Sequence, residues 1–231
     1  MPSAETVARW AEQTPPGFQF CPKLPQAITH VKRLVDAQAD TEAFLERMSG
    51  LGDRFGPLFV QLPPSFGPPD AGVLSDFLGI LPASRRVCVE VRHPAWFTAA
   101  QRPRLNALLS QHNAARVVID TRGVNLPGQD GEAVVRSRTQ KPDLPIQPDV
   151  TADFTFVRLI LHPLPERNEP VMGEWSRRLA EWLAGGTSVY VFTHCPDDVQ
   201  SPIFARNLYA RIGALTPVDP LPADPVQGML L

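Results

Sequence analysis

Short runs of β-branched and aromatic residues recur at positions 18–24, 58–63, 87–92, 116–121, 154–161 and 188–194. Stretches with apolar residues at helical spacing lie at 41–48, 71–81, 104–112, 172–183 and 202–215. Strands alternating with helices predict βα units and a parallel sheet. A further helix is expected over residues 1–14, capped by Ser3, with Val7 and Trp10 on one face. Strand-to-strand spacing of about 30–40 residues suits a TIM-like barrel or a doubly wound sheet. No GxGxxG follows the first run and no Walker-type GxxxxGKS/T occurs, so nucleotide-binding versions of such a sheet have no motif here.

The run Val87-Cys88-Val89-Glu90-Val91-Arg92 fixes the direction of its side chains. With a period of two, the valines share one face and Cys88, Glu90 and Arg92 the other. A valine face suits packing beneath helices, which turns Glu90 and Arg92 into a barrel interior or crevice. Charges there are costly unless they satisfy each other or bind something. Other runs also end on polar residues: Lys23, Gln61, Asp120, Arg158 and His194. The C-terminal ends of parallel strands are where barrel active sites are built.

Composition narrows the class. The 231 residues include 43% apolar and 20% charged residues, enough for a buried core without a disulfide or metal staple. The 22 basic against 24 acidic residues give a net charge of −2, which advertises neither nucleic acid nor membrane as a partner. Cys21, Cys88 and Cys195 are odd in number with no CxxC spacing, which fits reduced thiols and a cytoplasmic location. There is no apolar run of membrane-spanning length and no signal-peptide pattern. The 26 prolines are about twice the usual share; many follow strands, as Pro25, Pro63, Pro64, Pro94, Pro163 and Pro196 do.

Several segments carry a resemblance. Trp10-Ala11-Glu12-Gln13-Thr14, Phe18-Gln19-Phe20-Cys21-Pro22-Lys23-Leu24-Pro25 and Ile28-Thr29-His30 are similar to the YecE-like family, the domain of unknown function 72. So are Gln61-Leu62-Pro63-Pro64-Ser65-Phe66, Val118-Ile119-Asp120-Thr121-Arg122 and Phe154-Thr155-Phe156-Val157-Arg158-Leu159. The most specific match is Val89-Glu90-Val91-Arg92-His93-Pro94-Ala95-Trp96-Phe97. The resemblance implies a TIM-like barrel and names no activity. Members of that family begin with two more strand units, ending near a Gly-rich Trp-Ser motif and a Glu-x-Asn-x-Thr-like motif. Neither motif occurs here, and at about 25–30 residues per unit some 50–60 residues are expected to be lacking, as from a misplaced start codon. The expectation is therefore an α/β fold, an incomplete TIM-like (β/α) barrel with about six of eight parallel strands. It would comprise an N-terminally truncated barrel domain at 1–215 and a proline-rich tail at 216–231.

On the positions matching the family, Lys23, Gln61, Glu90, Arg92, His93, Asp120 and Arg158 are the candidate site. Arginine presents a planar fork suited to phosphate or carboxylate, so Lys23, Arg92 and Arg158 form a candidate anion site with Gln61. Glu90 or Asp120 is a candidate general base, and His93 a proton shuttle near neutral pH. Trp96 is the aromatic best placed to stack on a substrate. The connection at 123–153 carries Arg136, Arg138 and Lys141 and reads either as a lid gripping an anion or as a surface excursion.

His30, His93, His162 and His194 follow four different strands without HxH or HExxH spacing, and neither a metal nor a cofactor is expected. No GxSxG elbow surrounds Ser65. At the C-terminus, Gln227-Gly228-Met229-Leu230-Leu231 resembles the Gln-Leu-x-Leu-Phe peptides that bind bacterial sliding clamps, with Gly228 and Leu231 departing from the pattern. Three readings stay open. One is an enzyme acting on a phosphorylated or carboxylated small molecule. A second is a DNA-associated protein or phosphodiesterase using the basic loop and tail. The third is a non-catalytic binding barrel in which Glu90, Arg92, Arg158 and Asp120 form a structural ion-pair network.

Overall fold

The structure is a computed structural model that describes residues 1–126, 128, 130–196 and 198–221. Five parallel strands lie side by side in chain order: β1 (Leu58–Gln61), β2 (Val87–Glu90), β3 (Ala114–Asp120), β4 (Phe154–Ile160) and β5 (Ser188–His194). Helices α1 (Ala4–Glu12) and α2 (Gln38–Ser49) precede the sheet. Connections are made by α3 (Ala71–Gly79), α4 (Arg102–Gln111), the pair α5 (Arg122–Asn125) and α6 (Glu132–Gln140), and α7 (Glu169–Ala184). After β5 comes α8 (Ser201–Gly213). Ser3 caps α1 by accepting the Thr6 N–H at 3.1 Å; Val7 is buried while Trp10 lies stacked on Phe20.

The period of two sorts the strand residues into layers. Leu58, Val60, Val87, Val89 and Val91 pack outward with Phe44, Leu74, Leu105 and Trp96. Val118, Val157 and Leu159 pack outward against Trp175 and Leu179 of α7 and Phe204 and Leu208 of α8. The opposite face carries Phe59, Cys88, Ala115, Val117, Phe154 and Phe156, with Tyr190 against them. That face is concave. Phe59 of β1 and Phe156 of β4 stack at 5.4 Å, although three strand spacings would hold them roughly 14 Å apart in a flat sheet. The hydroxyl of Tyr190 on β5 also reaches round to donate to Gln19 Oε1 at 2.6 Å. The sheet is a curled half-barrel.

The α/β class and the parallel sheet agree with the alternating pattern, but the strand count is five rather than six. Residues 18–24 run beside β1 and make only isolated bridges, Phe20 to Phe55 and Lys23 to Phe59. Pro22 offers its carbonyl to the Phe59 N–H at 2.9 Å but has no N–H to return, and Pro25 ends the run. The connection after β3, expected as a lid or an excursion, holds two short helices. Gly123 allows α5 to press on the end of β4, since a Cβ there would lie 2.6 Å from the Ile160 carbonyl oxygen. Further on, buried Arg116 holds the chain against the outer face of β3 through Asp149 at 3.0 Å and Gln147 at 2.7 Å. Among the described residues no helix is long and apolar enough to cross a membrane. The clamp-like segment Gln227-Gly228-Met229-Leu230-Leu231 lies outside the described residues.

Candidate functional site

At the C-terminal end of the concave face, β2 and β4 bring together Glu90 and Arg158, and Arg92 follows two residues beyond Glu90. The Glu90 carboxylate is fully buried. Oε1 accepts from Arg92 Nε at 2.6 Å and Oε2 from Arg158 Nη1 at 2.6 Å. Burial alone would raise this carboxyl; Arg158 and Arg92 more than offset that and hold it below its ordinary range. The group is therefore ionised at neutral pH, with both oxygens engaged.

The polar layer rests on aromatic rings. The Arg158 guanidinium lies 5.3 Å from the centre of the Phe59 ring, and Phe156 stacks between Phe59 and Phe192. Arg158 Nη2 also lies 3.5 Å from His194 Nε2. A guanidinium can only donate, so that nitrogen is the acceptor and the imidazole proton belongs on Nδ1. Burial, followed by Arg158 and Lys141, lowers the His194 pKa to about 4, leaving it neutral at pH 7. His30 is lowered in the same sense by burial, Arg92 and Lys23. Lys141, half-buried at the end of α6, is lowered by burial and by the charges of Arg158 and Arg92.

Lys23 is exposed at the register position beside Phe59, and Gln61 is largely buried at the end of β1. Among the described residues, the Lys23 and Lys141 ammonium groups, the terminal nitrogens of Arg92 and the Gln61 amide have no hydrogen-bond or ion-pair partner. Lys23, Gln61, Glu90, Arg92 and Arg158 thus lie at one mouth.

Three candidates are placed elsewhere. Asp120 points to the helix side of β3, where Oδ2 accepts from Trp175 Nε1 at 2.7 Å and from Arg122 Nη2 at 2.8 Å. It makes no bond to Glu90, Arg92 or Arg158, so of the four-member network that one of the open readings calls for, three members are joined. His93 caps the turn Pro94–Phe97 through Nδ1, which accepts the Ala95 N–H at 3.1 Å, and its ring packs on Gly67. Trp96 is 1% exposed in the helix-side core, its Nε1 donating to the Phe66 carbonyl at 2.9 Å. It offers no face to a ligand.

Of the basic residues in the long connection, Lys141 faces the mouth, whereas Arg138 donates to the Val124 carbonyl and to Asp130 at 2.6 Å each. Asp130 also takes Arg167 at 2.7 Å and His162 at 3.0 Å, a latch tying this connection to the end of β4. The strand-end candidates leave out Phe192 and Asp198: alternation from Tyr190 to Phe192 to His194 places Phe192 and His194 on the concave face, and the Asp198 carboxylate lies near enough to His194 and Lys141 to favour their charged forms. Among the described residues no three His, Cys, Asp or Glu side chains gather to hold a metal.

The model of the family described as "Protein of unknown function DUF72" matches residues 1–226 of the chain. The chain is 34% identical over 232 aligned positions to the UPF0759 protein YecE of Escherichia coli K12, covering 100% of this chain and 85% of that protein. The YecE protein of Escherichia coli O157:H7 matches with the same identity and coverage. A crystal structure of a DUF72 protein from Enterococcus faecalis superposes with a TM-score of 0.71 at 16% identity, covering 98% of this chain and 84% of that one. One from Thermotoga maritima gives 0.68 at 23% identity, covering 91% and 79%. At these identities the two structures speak for the fold.

Proposed function

The chain belongs to the DUF72 family, whose description leaves the activity open, and within it we propose that this protein binds an anionic small molecule, phosphorylated or carboxylated, at the mouth of the half-barrel. The observation that carries the reading is an unbalanced charge cluster. Arg92, Arg158, Lys23 and Lys141 face one another across the mouth, and among the described residues Glu90 and Asp198 are the carboxylates in opposition. A purely structural network would close on itself. Here Glu90 holds two guanidiniums in place, while the outer nitrogens of Arg92 and both lysine ammonium groups have no partner among the described residues.

Glu90 acts in this reading as a positioning residue, because using it as a base would break two charge-assisted bonds. Arg92, Arg158, Lys23 and Lys141 supply charge, and the Gln61 amide supplies a directional donor.

Isothermal titration of the protein with inorganic phosphate, sulfate and acetate tests this. Wild type is expected to bind at least one of them, and R92Q combined with K141Q to weaken binding by a factor of ten or more, from charge-assisted bonds of about 1.5–3 kcal/mol. No heat from any of the three anions, or equal affinity in the double variant, would overturn the reading.

A further inference from the structure

Beside the cation cluster lies an aromatic ring that the described chain leaves partly exposed. Phe192 projects from β5 on the concave side and is the register partner of Arg158 on β4, so the two side chains are neighbours on one surface. One side of its ring stacks on Phe156 at 5.0 Å with 19° between planes. Phe156 in turn stacks on Phe59, and both of those rings are buried. Phe192 ends the stack and is 37% exposed, whereas Phe156 is 2% exposed. On the same strand His194, neutral at pH 7, follows at the next concave position and marks the upper rim.

We propose that the mouth takes an anion carrying a flat aromatic body, an aryl phosphate or aryl carboxylate, whose ring stacks on Phe192 while its charge meets Arg158, Arg92 and Lys141. This deepens the anion reading and rests on it. The ring continues an existing stack in the direction where it is open, and the charged group lies where cations outnumber carboxylates. Offset stacking on an aromatic ring stabilises beyond simple area burial, and a neutral imidazole on the rim tolerates an apolar ring better than an imidazolium would. Phosphate and carboxylate share the guanidinium-binding chemistry, so the two anions are separated by assay.

The test is paired titration of wild type and F192L with phenyl phosphate against inorganic phosphate, and with benzoate against acetate. Wild type should bind at least one aryl anion about tenfold more tightly than its simple counterpart, the better of the two pairs identifying the anion. F192L keeps an apolar residue but loses the ring; it should erase most of that preference while leaving the simple anion's affinity unchanged. Circular dichroism of F192L checks that it folds, and Y190F, which keeps the neighbouring ring, should retain the preference. Binding of phosphate or acetate with no aryl preference in wild type, or an aryl preference that survives in folded F192L, overturns the proposal and leaves the anion reading standing. Binding of neither class overturns both.

Discussion

Glu90 and Asp120 are the same local device on opposite faces of one sheet. Each carboxylate is buried at the C-terminal end of a strand, and each has an arginine two residues later, Arg92 and Arg122. Asp120 faces the helices. There Arg122 bonds it through Nε, Nη2 and its own backbone N–H, Trp175 adds an indole donor, and the remaining Arg122 Nη1 is taken by Glu174 at 2.8 Å. Every nitrogen of the Arg122 guanidinium has a carboxylate partner, so its donors are used up. Glu90 faces the concave side, where it orients two arginines and the surroundings add Lys23 and Lys141, which have no hydrogen-bond or ion-pair partner among the described residues. A buried carboxylate beside an arginine is thus no guide to function; the unmatched groups around it are.

The largest effect that can break this contrast is Glu90→Gln. It leaves Arg158 and Arg92 facing each other without their common partner, and losing one member of a buried pair costs about 3–5 kcal/mol. Because a bound anion can replace the lost charge, phosphate or sulfate should restore more stability to this variant than to wild type. Urea unfolding with and without added sulfate reads both quantities. Equal anion stabilisation of variant and wild type would place Glu90 in a closed network like that of Asp120.

Asp120→Asn should cost less, about 1–3 kcal/mol, because the amide oxygen still accepts from Trp175 while the charge-assisted bonds to Arg122 weaken. The same urea experiment should show no extra rescue by anion, and titration should give the wild-type anion affinity. A loss of affinity would mean that the two faces communicate.

The difference between these carboxylates was only half legible in the sequence. Val87, Val89 and Val91 betray the face of Glu90 because they alternate with polar residues. In β3, Val117, Val118 and Ile119 are apolar on both faces, so the phase that turns Asp120 toward Trp175 is hidden until α7 is in place. The strands and most helices follow from periodicity. Residues 18–24 look like a strand by composition, yet Pro22 denies them a ladder. Lys141 joins the site from 21 residues beyond the end of β3, and chain distance alone does not reveal that.

A smaller effect concerns pH. Burial and neighbouring cations lower the His194 pKa to about 4, below the ordinary value of 6.5. The unfolded chain then binds the extra proton first, so this contribution to stability is complete above pH 6.5 and is lost as pH falls from there toward 4. The slope for one proton is no steeper than about 1.4 kcal/mol per pH unit. His30, lowered for the same reasons, adds in the same direction. His194→Gln should flatten the fall in urea midpoint between pH 6.5 and 4; an unchanged profile would show that the rim histidine does not feel the cluster.

The smallest effect on binding, none at all, is expected at one of the two aromatics nearest the candidate chemistry. Trp96 adjoins His93 and Pro94 in the chain, yet it is buried behind β2, where its indole N–H satisfies the Phe66 carbonyl at 2.9 Å. Trp96→Phe removes that bond and part of a ring, a loss of about 1–3 kcal/mol in which the unsatisfied carbonyl counts as much as the missing contacts. Since the substitution lies on the helix side, anion affinity should stay at the wild-type value and aryl preference with it. Titration with phosphate and phenyl phosphate reads this directly. Should Trp96→Phe lower aryl binding while Phe192→Leu does not, the stacking face would belong to the outer layer, and the division of the sheet into a closed and an open side would fail.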